Sequence, residues 1–172
     1  MRRNGVQYRE AADIEPVNWT KARVEEYAIE VADLLSLKPG EDVTKMVESL
    51  GGRIHYRDLD ELVGDNGSVF VHGRFDFDIL LPHFTSKTRD RFTIGHELGH
   101  YFLHSNQGKM PIVAFRSGST RIEWEANWFA ASLLMPKPRF EKAIQSKSLL
   151  EVAFQFGVSL EAAQVRKDAL GI

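Results

Sequence analysis

The sequence predicts an α+β fold, with helices first, a small sheet in the middle, and helices to the end. Three observations carry that expectation. Apolar residues recur at helical spacing over 21–36, a cleanly alternating strand occupies 75–81, and helical periodicity returns from residue 90 onward. At 172 residues, one domain with a small appendage is expected. Folding should bury roughly 70% of the unfolded chain's surface, enough for a core without staples.

Residues 1–19 lack periodicity and form an extended lead-in. Thr20 then caps a helix over 21–36, in which Val24, Tyr27, Ala28, Val31, Leu34 and Leu35 follow the i, i+3, i+4 pattern until Pro39-Gly40. Asp42 caps a second helix over 43–50, which Gly51-Gly52 stops. Strands follow at Arg53 to Arg57, Ser68 to His72 and Phe75 to Leu81. Gly73 marks the turn of a hairpin, giving the sheet antiparallel pairing. In the last strand Phe75, Phe77, Ile79 and Leu81 share one face and Asp76 and Asp78 the other, and its edge could receive an extended peptide.

A helix is expected over 90–104 and another over 122–135, ending at Pro136. Between them 105–121, with Gly108, Pro111 and Gly118, is expected to be a loop. Short helices over 138–145, 149–156 and 159–170 complete the chain. The expected organisation is a lead-in to 19, a main domain over 20–145, and a helical pair over 146–172 packed on it.

Composition narrows the chemistry. Without cysteine there is no disulfide scaffold, zinc ribbon, iron–sulfur cluster or thiol nucleophile. A net charge of −2 gives no bulk electrostatic footprint for nucleic acid or anionic lipid. No apolar run approaches the length of a membrane span or a signal peptide, so a cytoplasmic location is expected.

The informative stretch is Phe92-Thr93-Ile94-Gly95-His96-Glu97-Leu98-Gly99-His100-Tyr101-Phe102-Leu103-His104. Residues i and i+4 lie about 40° apart on a helix, so His96 and His100 project together, one turn apart. That geometry suits two nitrogen ligands on one zinc ion. Glu97, flanking the pair, is placed to hold and deprotonate a water. His104 lies another turn on, about 12 Å from His96 along the axis, and is expected to support the site or end the helix rather than ligate.

A catalytic zinc needs a third protein ligand, and without cysteine it must be histidine or carboxylate. Glu123 and Glu125 are the candidates. On a helical wheel Glu125 lies beside Ile122, Trp128 and Phe129, and a carboxylate on an apolar edge is costly unless paired or bound to metal. Glu125 is therefore the expected ligand, with an ion pair to Arg91 or Arg121 as the competing reading. Glu123 is expected to be a solvated first-turn charge. For the donor that a tetrahedral oxyanion at such a metal would require, His83, His72, Tyr101, His104 and Arg121 are candidates that the sequence does not rank.

The run Arg91-Phe92-Thr93-Ile94-Gly95-His96-Glu97-Leu98-Gly99-His100, followed by Glu125-Ala126-Asn127-Trp128-Phe129-Ala130-Ala131-Ser132-Leu133-Leu134-Met135-Pro136, resembles the ImmA/IrrE metallopeptidases. The resemblance runs from about residue 20 to the C-terminus and is strongest over 91–136. It implies a zincin-like minidomain with a gluzincin-like site: one zinc on His96, His100 and Glu125, and Glu97 as the catalytic residue. It also implies a regulatory endopeptidase, of the kind found in bacteria, phages and mobile elements, acting on a helix-turn-helix repressor. Such a repressor would be a separate chain, because twenty lead-in residues cannot hold a fused DNA-binding domain. The alternative is a module of the same fold that sequesters a repressor without cutting it.

The C-terminal pair has the outline of a helix-turn-helix, with Ala153, a turn at Gly157 and a cap at Ser159. Its charge opposes DNA binding. Arg166 and Lys167 stand against Glu151, Glu161 and Asp168, whereas a groove-reading helix carries surplus positive charge. Packing on the protease core is the expected role, similar to that of C-terminal helices in the resembling family.

Overall fold

In the computed structural model, residues 2–3, 6–7, 13–58, 68–115 and 119–172 are described. Gly118 of the expected loop and most of the lead-in over 1–12 lie outside them. A two-residue ladder, β1 (Arg2–Arg3) antiparallel to β2 (Val6–Gln7), precedes a stretch over 13–19 without regular secondary structure. The Thr20 hydroxyl accepts from the Arg23 N–H and starts α1 (Lys21–Leu34). Asp42 starts α2 (Val43–Ser49) by accepting from the Thr44 N–H at 2.9 Å.

A four-stranded sheet follows, built from β3 (Gly52–Arg57), β4 (Ser68–Gly73), β5 (Asp76–Pro82) and β6 (Ile112–Phe115). Their spatial order is β3-β5-β4-β6, with β3 parallel to β5 and the other pairs antiparallel. The expected hairpin is β4–β5, but Phe75 leaves the inner face for the turn, at φ 57°. Phe77, Ile79 and Leu81 keep the expected alternation and are fully buried. Pairing on both sides removes β5 as a strand that could receive a peptide; among the described residues the edges of this sheet are β3 and β6. β6 itself falls where a loop was expected. Its run lacks alternating polarity, and pairing of Ile112 with Val71 and Ala114 with Val69 makes it a strand.

Against the inner face lies α3 (Lys87–Gly99), continued by one π turn over His100–His104, so the single helix expected at 90–104 changes its winding midway. Tyr101, on that turn, stacks on Phe77 with centroids 4.3 Å apart. Thr120 caps α4 (Arg121–Leu134), which packs against both α1 and α3. α5 (Lys137–Ile144), α6 (Leu149–Phe156) and α7 (Leu160–Leu170) complete the chain. Phe156 of α6 meets Phe140 of α5, and Val152, Ala153, Phe156 and Ala163 join the same hydrophobic cluster as α1, α3 and the sheet. Arg166 turns inward: its Nε donates to the Met135 carbonyl and its guanidinium pairs with Glu25 at 2.7 Å. No helix among the described residues is long and apolar enough to cross a membrane.

The α3–α4 contact is unusually tight. A Cβ on Gly99 would stand 2.9 Å from Ala126 Cα, so the two helices approach closely only because residue 99 has no side chain. On the outer face of the sheet, Asp78 gathers Arg53, His55 and His72, at 2.7, 2.8 and 2.8 Å. Burial opposes ionisation of Asp78, but the hydrogen bonds from Arg53, His55 and His72 win and hold its carboxyl well below the usual range.

Both the helix contact and the Asp78 cluster predict stability changes. Alanine in place of a helical glycine ordinarily gains about 1 kcal/mol, whereas overpacking a core costs about 1–3 kcal/mol. Gly99→Ala is therefore expected to lower the thermal midpoint. Gly95→Ala, whose Cβ would meet Ala130 and Leu134 at an ordinary 3.4 Å, is expected to keep or raise it. Equal midpoints in the two variants would contradict the close approach at Gly99. Asp78→Asn is expected to cost about 1–2 kcal/mol at pH 7. A carboxyl held low in the fold stabilises it above its unfolded pKa, so the deficit should shrink as pH falls below roughly 4. Denaturant titrations at pH 7 and pH 3 check this, and a deficit independent of pH would contradict it.

Candidate metal centre

α3 and the turn that continues it deliver His96, Glu97 and His100, with the histidines one turn apart, and all three residues are buried. Between the histidines comes a carboxylate from α4, and it is Glu123. Its Oε2 lies 3.2 Å from His96 Nε2 and its Oε1 lies 3.4 Å from His100 Nε2, while the two Nε2 atoms are 3.1 Å apart. Among the described residues this is the one group of three or more histidine or carboxylate side chains spaced to hold a metal ion.

The spacing can be tested against an ion. Two ligand atoms about 2.0–2.1 Å from zinc at the tetrahedral angle stand about 3.3–3.4 Å apart. The three observed separations lie at or just below that edge, so the residues fit the group. The donor set, two imidazole nitrogens and one carboxylate oxygen, is that of a hydrolytic zinc site with an open position. Burial opposes the charge of Glu123, but hydrogen bonds from His100 and His96 hold the carboxyl down to about 2.

The structure brings Glu123, not the expected Glu125, between the two histidines. On the helical wheel Ile122, Trp128 and Phe129 make the buried stripe, but in the fold Ile122 and Trp128 are only half-buried. α4 is covered by α3 on one side and by α1 on another, so both carboxylates are buried and facing different neighbours. Glu123 shares the α3 side with Ala126, Asn127, Ala130 and Leu134. Glu125 is paired instead: Arg121 Nε donates to Oε1 at 2.9 Å and His104 Nε2 meets Oε2 at 3.1 Å. The backbone N–H groups of Val17 and Asn18 complete its shell, at 3.0 and 2.9 Å. The signal that could have chosen Glu123 was present. Gly95 and Gly99, four residues apart, match Ala126 and Ala130, and together they define the α3–α4 seam on which Glu123 lies.

Sequence reasoning also missed Asn127. Its Oδ1 accepts from His96 Nδ1 at 2.9 Å, which orients the ring with Nε2 towards Glu123 and His100. His104 lies against His100, with Nδ1 atoms 3.0 Å apart. The π turn accounts for this, because its wider winding brings residue i+4 closer to directly above residue i. Burial and the neighbouring His100 push the His104 pKa down to about 4, so it is neutral at pH 7.

The remaining oxyanion candidates are not brought to the cluster. His72 is bound to Asp78 on the far face of the sheet. His83 is exposed and stacks on Tyr56. Tyr101 is wedged against Phe77 with its hydroxyl 3.5 Å from the Phe75 N–H. Arg121 is spent on Glu125, on the Trp19 carbonyl and on the Trp128 ring, 4.8 Å away. A groove of about 740 Å³ lies alongside, lined by Thr93, Asn127, Trp128 and Met135 among others, but by none of His96, Glu97, His100 or Glu123.

Against curated proteins the sequence finds no match. It does match the family described as the IrrE N-terminal-like domain over residues 47–167, a span that takes in the whole cluster. The chain therefore belongs to the IrrE N-terminal-like family, and is a metallopeptidase of the ImmA/IrrE type.

Proposed function

We propose that the protein is a zinc-dependent endopeptidase whose metal is held by His96, His100 and Glu123 and whose general base is Glu97. The observation that carries this reading is the ligand-atom triangle of 3.1, 3.2 and 3.4 Å, built on two helices by buried residues. Zinc is the metal this donor set suits, one ion per chain, with three protein ligands and a fourth position for water or substrate. When bound, it would polarise a peptide carbonyl and lower the pKa of a water towards roughly 7.

The chain's own residues do the rest. Asn127 holds His96 by its Nδ1, which orients the ring with Nε2 towards Glu123 and His100. Glu97, one residue beyond His96, accepts a proton from the attacking water and passes it to the leaving amine. The substrate we propose is a protein, a helix-turn-helix repressor supplied as a separate chain in the cytoplasm. That part rests on the family resemblance rather than on a feature of this site. The inward Arg166 supports a packing role for α6 and α7, since it withdraws one of their two basic residues from any phosphate.

The test uses purified protein with a candidate repressor from its genomic neighbourhood, with products followed by mass spectrometry. Wild type should release discrete fragments. Glu97→Gln should keep its zinc and lose about 10²–10⁴-fold in rate. His96→Ala should lose both zinc and cleavage. Cleavage by Glu97→Gln at the wild-type rate would sink the assignment of the base. A tight but uncut complex with wild type would favour sequestration.

A further inference from the structure

We propose that Ser105 is a positioning residue whose side chain holds the π turn of His100–His104 against α winding, and so keeps His104 seated between His100 and Glu125. The inference rests on the metal-site reading and extends it to the residue that shapes the end of the histidine-bearing helix.

In an α-helix the Ser105 N–H would donate to the carbonyl four residues back, that of Tyr101. Here it donates to the His100 carbonyl, five residues back, at 3.0 Å. The Tyr101 carbonyl is already taken: the Ser105 hydroxyl donates to it, and the Gln107 N–H reaches it at 3.0 Å. A carbonyl oxygen has two lone pairs, so the Ser105 N–H is kept off Tyr101 in part by its own side chain. The same hydroxyl accepts from the Gly108 N–H at 2.8 Å. Ser105 and Gly108 are both buried, so bulk water does not replace either bond.

Beyond the π turn Asn106, Gln107 and Gly108 lie in succession in the left-handed region, at φ 50°, 57° and 77°. Residues with side chains are costly there and persist where their surroundings hold them. Gln107 Nε2 donates to the Tyr27 hydroxyl of α1 at 2.8 Å, and Gly108 lies so close to the Gly73 carbonyl that a Cβ would stand 2.4 Å from it. The helix end is thus clamped to α1 and to the β4–β5 turn. His104 lies inside the π turn, with Nδ1 3.0 Å from His100 Nδ1 and Nε2 3.1 Å from Glu125 Oε2. Return to α winding would shift the end of the turn by one residue, about 100° around the axis. His104 cannot keep both contacts through that rotation, whichever nitrogen of each ring carries the proton.

Ser105→Ala removes the hydroxyl with little change in volume, opening one lone pair of the Tyr101 carbonyl. Couplings across hydrogen bonds, measured by NMR on metal-free, ¹³C,¹⁵N-labelled protein, read the acceptor of the residue-105 N–H directly. It should be the His100 carbonyl in wild type and the Tyr101 carbonyl in Ser105→Ala. Zinc, in competition with a chromophoric chelator, should bind Ser105→Ala about 10–100-fold more weakly, because a neighbour of His100 outside the ligand set has moved. Ser105→Thr keeps the hydroxyl and should bind zinc more tightly than Ser105→Ala. Asp78→Asn, on the far face of the sheet, should lose stability yet keep the wild-type coupling and zinc affinity. A wild-type coupling to the Tyr101 carbonyl overturns the proposal even if no variant folds. So does a folded Ser105→Ala that keeps the coupling to His100, or that binds zinc within about twofold of wild type. If wild type takes up no zinc, the metallopeptidase reading fails, and the couplings of the metal-free proteins still decide whether Ser105 holds the turn.

Discussion

The site depends on how closely α3 and α4 approach one another. A carboxylate from one helix can stand within 3.2–3.4 Å of two imidazoles on the other only if the backbones come together where the side chains meet. Gly95 and Gly99 on α3, facing Ala126 and Ala130 on α4, make that possible. At Gly99 there is no room for even a methyl group. Glycine in a helix interior costs about 1 kcal/mol of propensity, and two of them flanking His96-Glu97 are explained by this seam rather than by the helix they sit in.

Buried charge is the second constraint. α4 carries two glutamates that are both removed from water, and each needs compensation. They obtain it in opposite ways. Glu123 faces two imidazoles in a spacing suited to an ion. Glu125 faces Arg121, His104 and two backbone N–H groups, and needs no ion. The segment before α1 thus has a structural task. Its backbone at residues 17 and 18 completes the Glu125 shell, and the Trp19 carbonyl receives Arg121.

Much of this was legible in the sequence. The caps Thr20, Asp42 and Ser159 and the stop at Pro136 placed α1, α2, α4 and α7 within a few residues, because capping is local chemistry. The spacing of His96 and His100 placed both imidazoles on one face for the same reason. What failed depended on neighbours distant in sequence. β6 is a strand only because β4 lies beside it. The π turn at His100–His104 has no periodicity of its own. Glu125 was favoured over Glu123 because a single-face wheel assumes one buried side, and α4 has two. The ion pair with Arg121, the competing reading for Glu125, is the contact that it makes.

The proposed function rests on His96, His100 and Glu123 holding one metal ion between buried side chains of two helices. Anomalous X-ray scattering at the zinc edge, on crystals of the zinc-loaded protein, locates that ion without reference to activity. One peak per chain is expected, about 2.0–2.1 Å from His96 Nε2, His100 Nε2 and a Glu123 oxygen, with Glu125 still on Arg121 and His104. A peak coordinated by Glu125, or by the histidines with Glu123 turned away, would contradict the assignment.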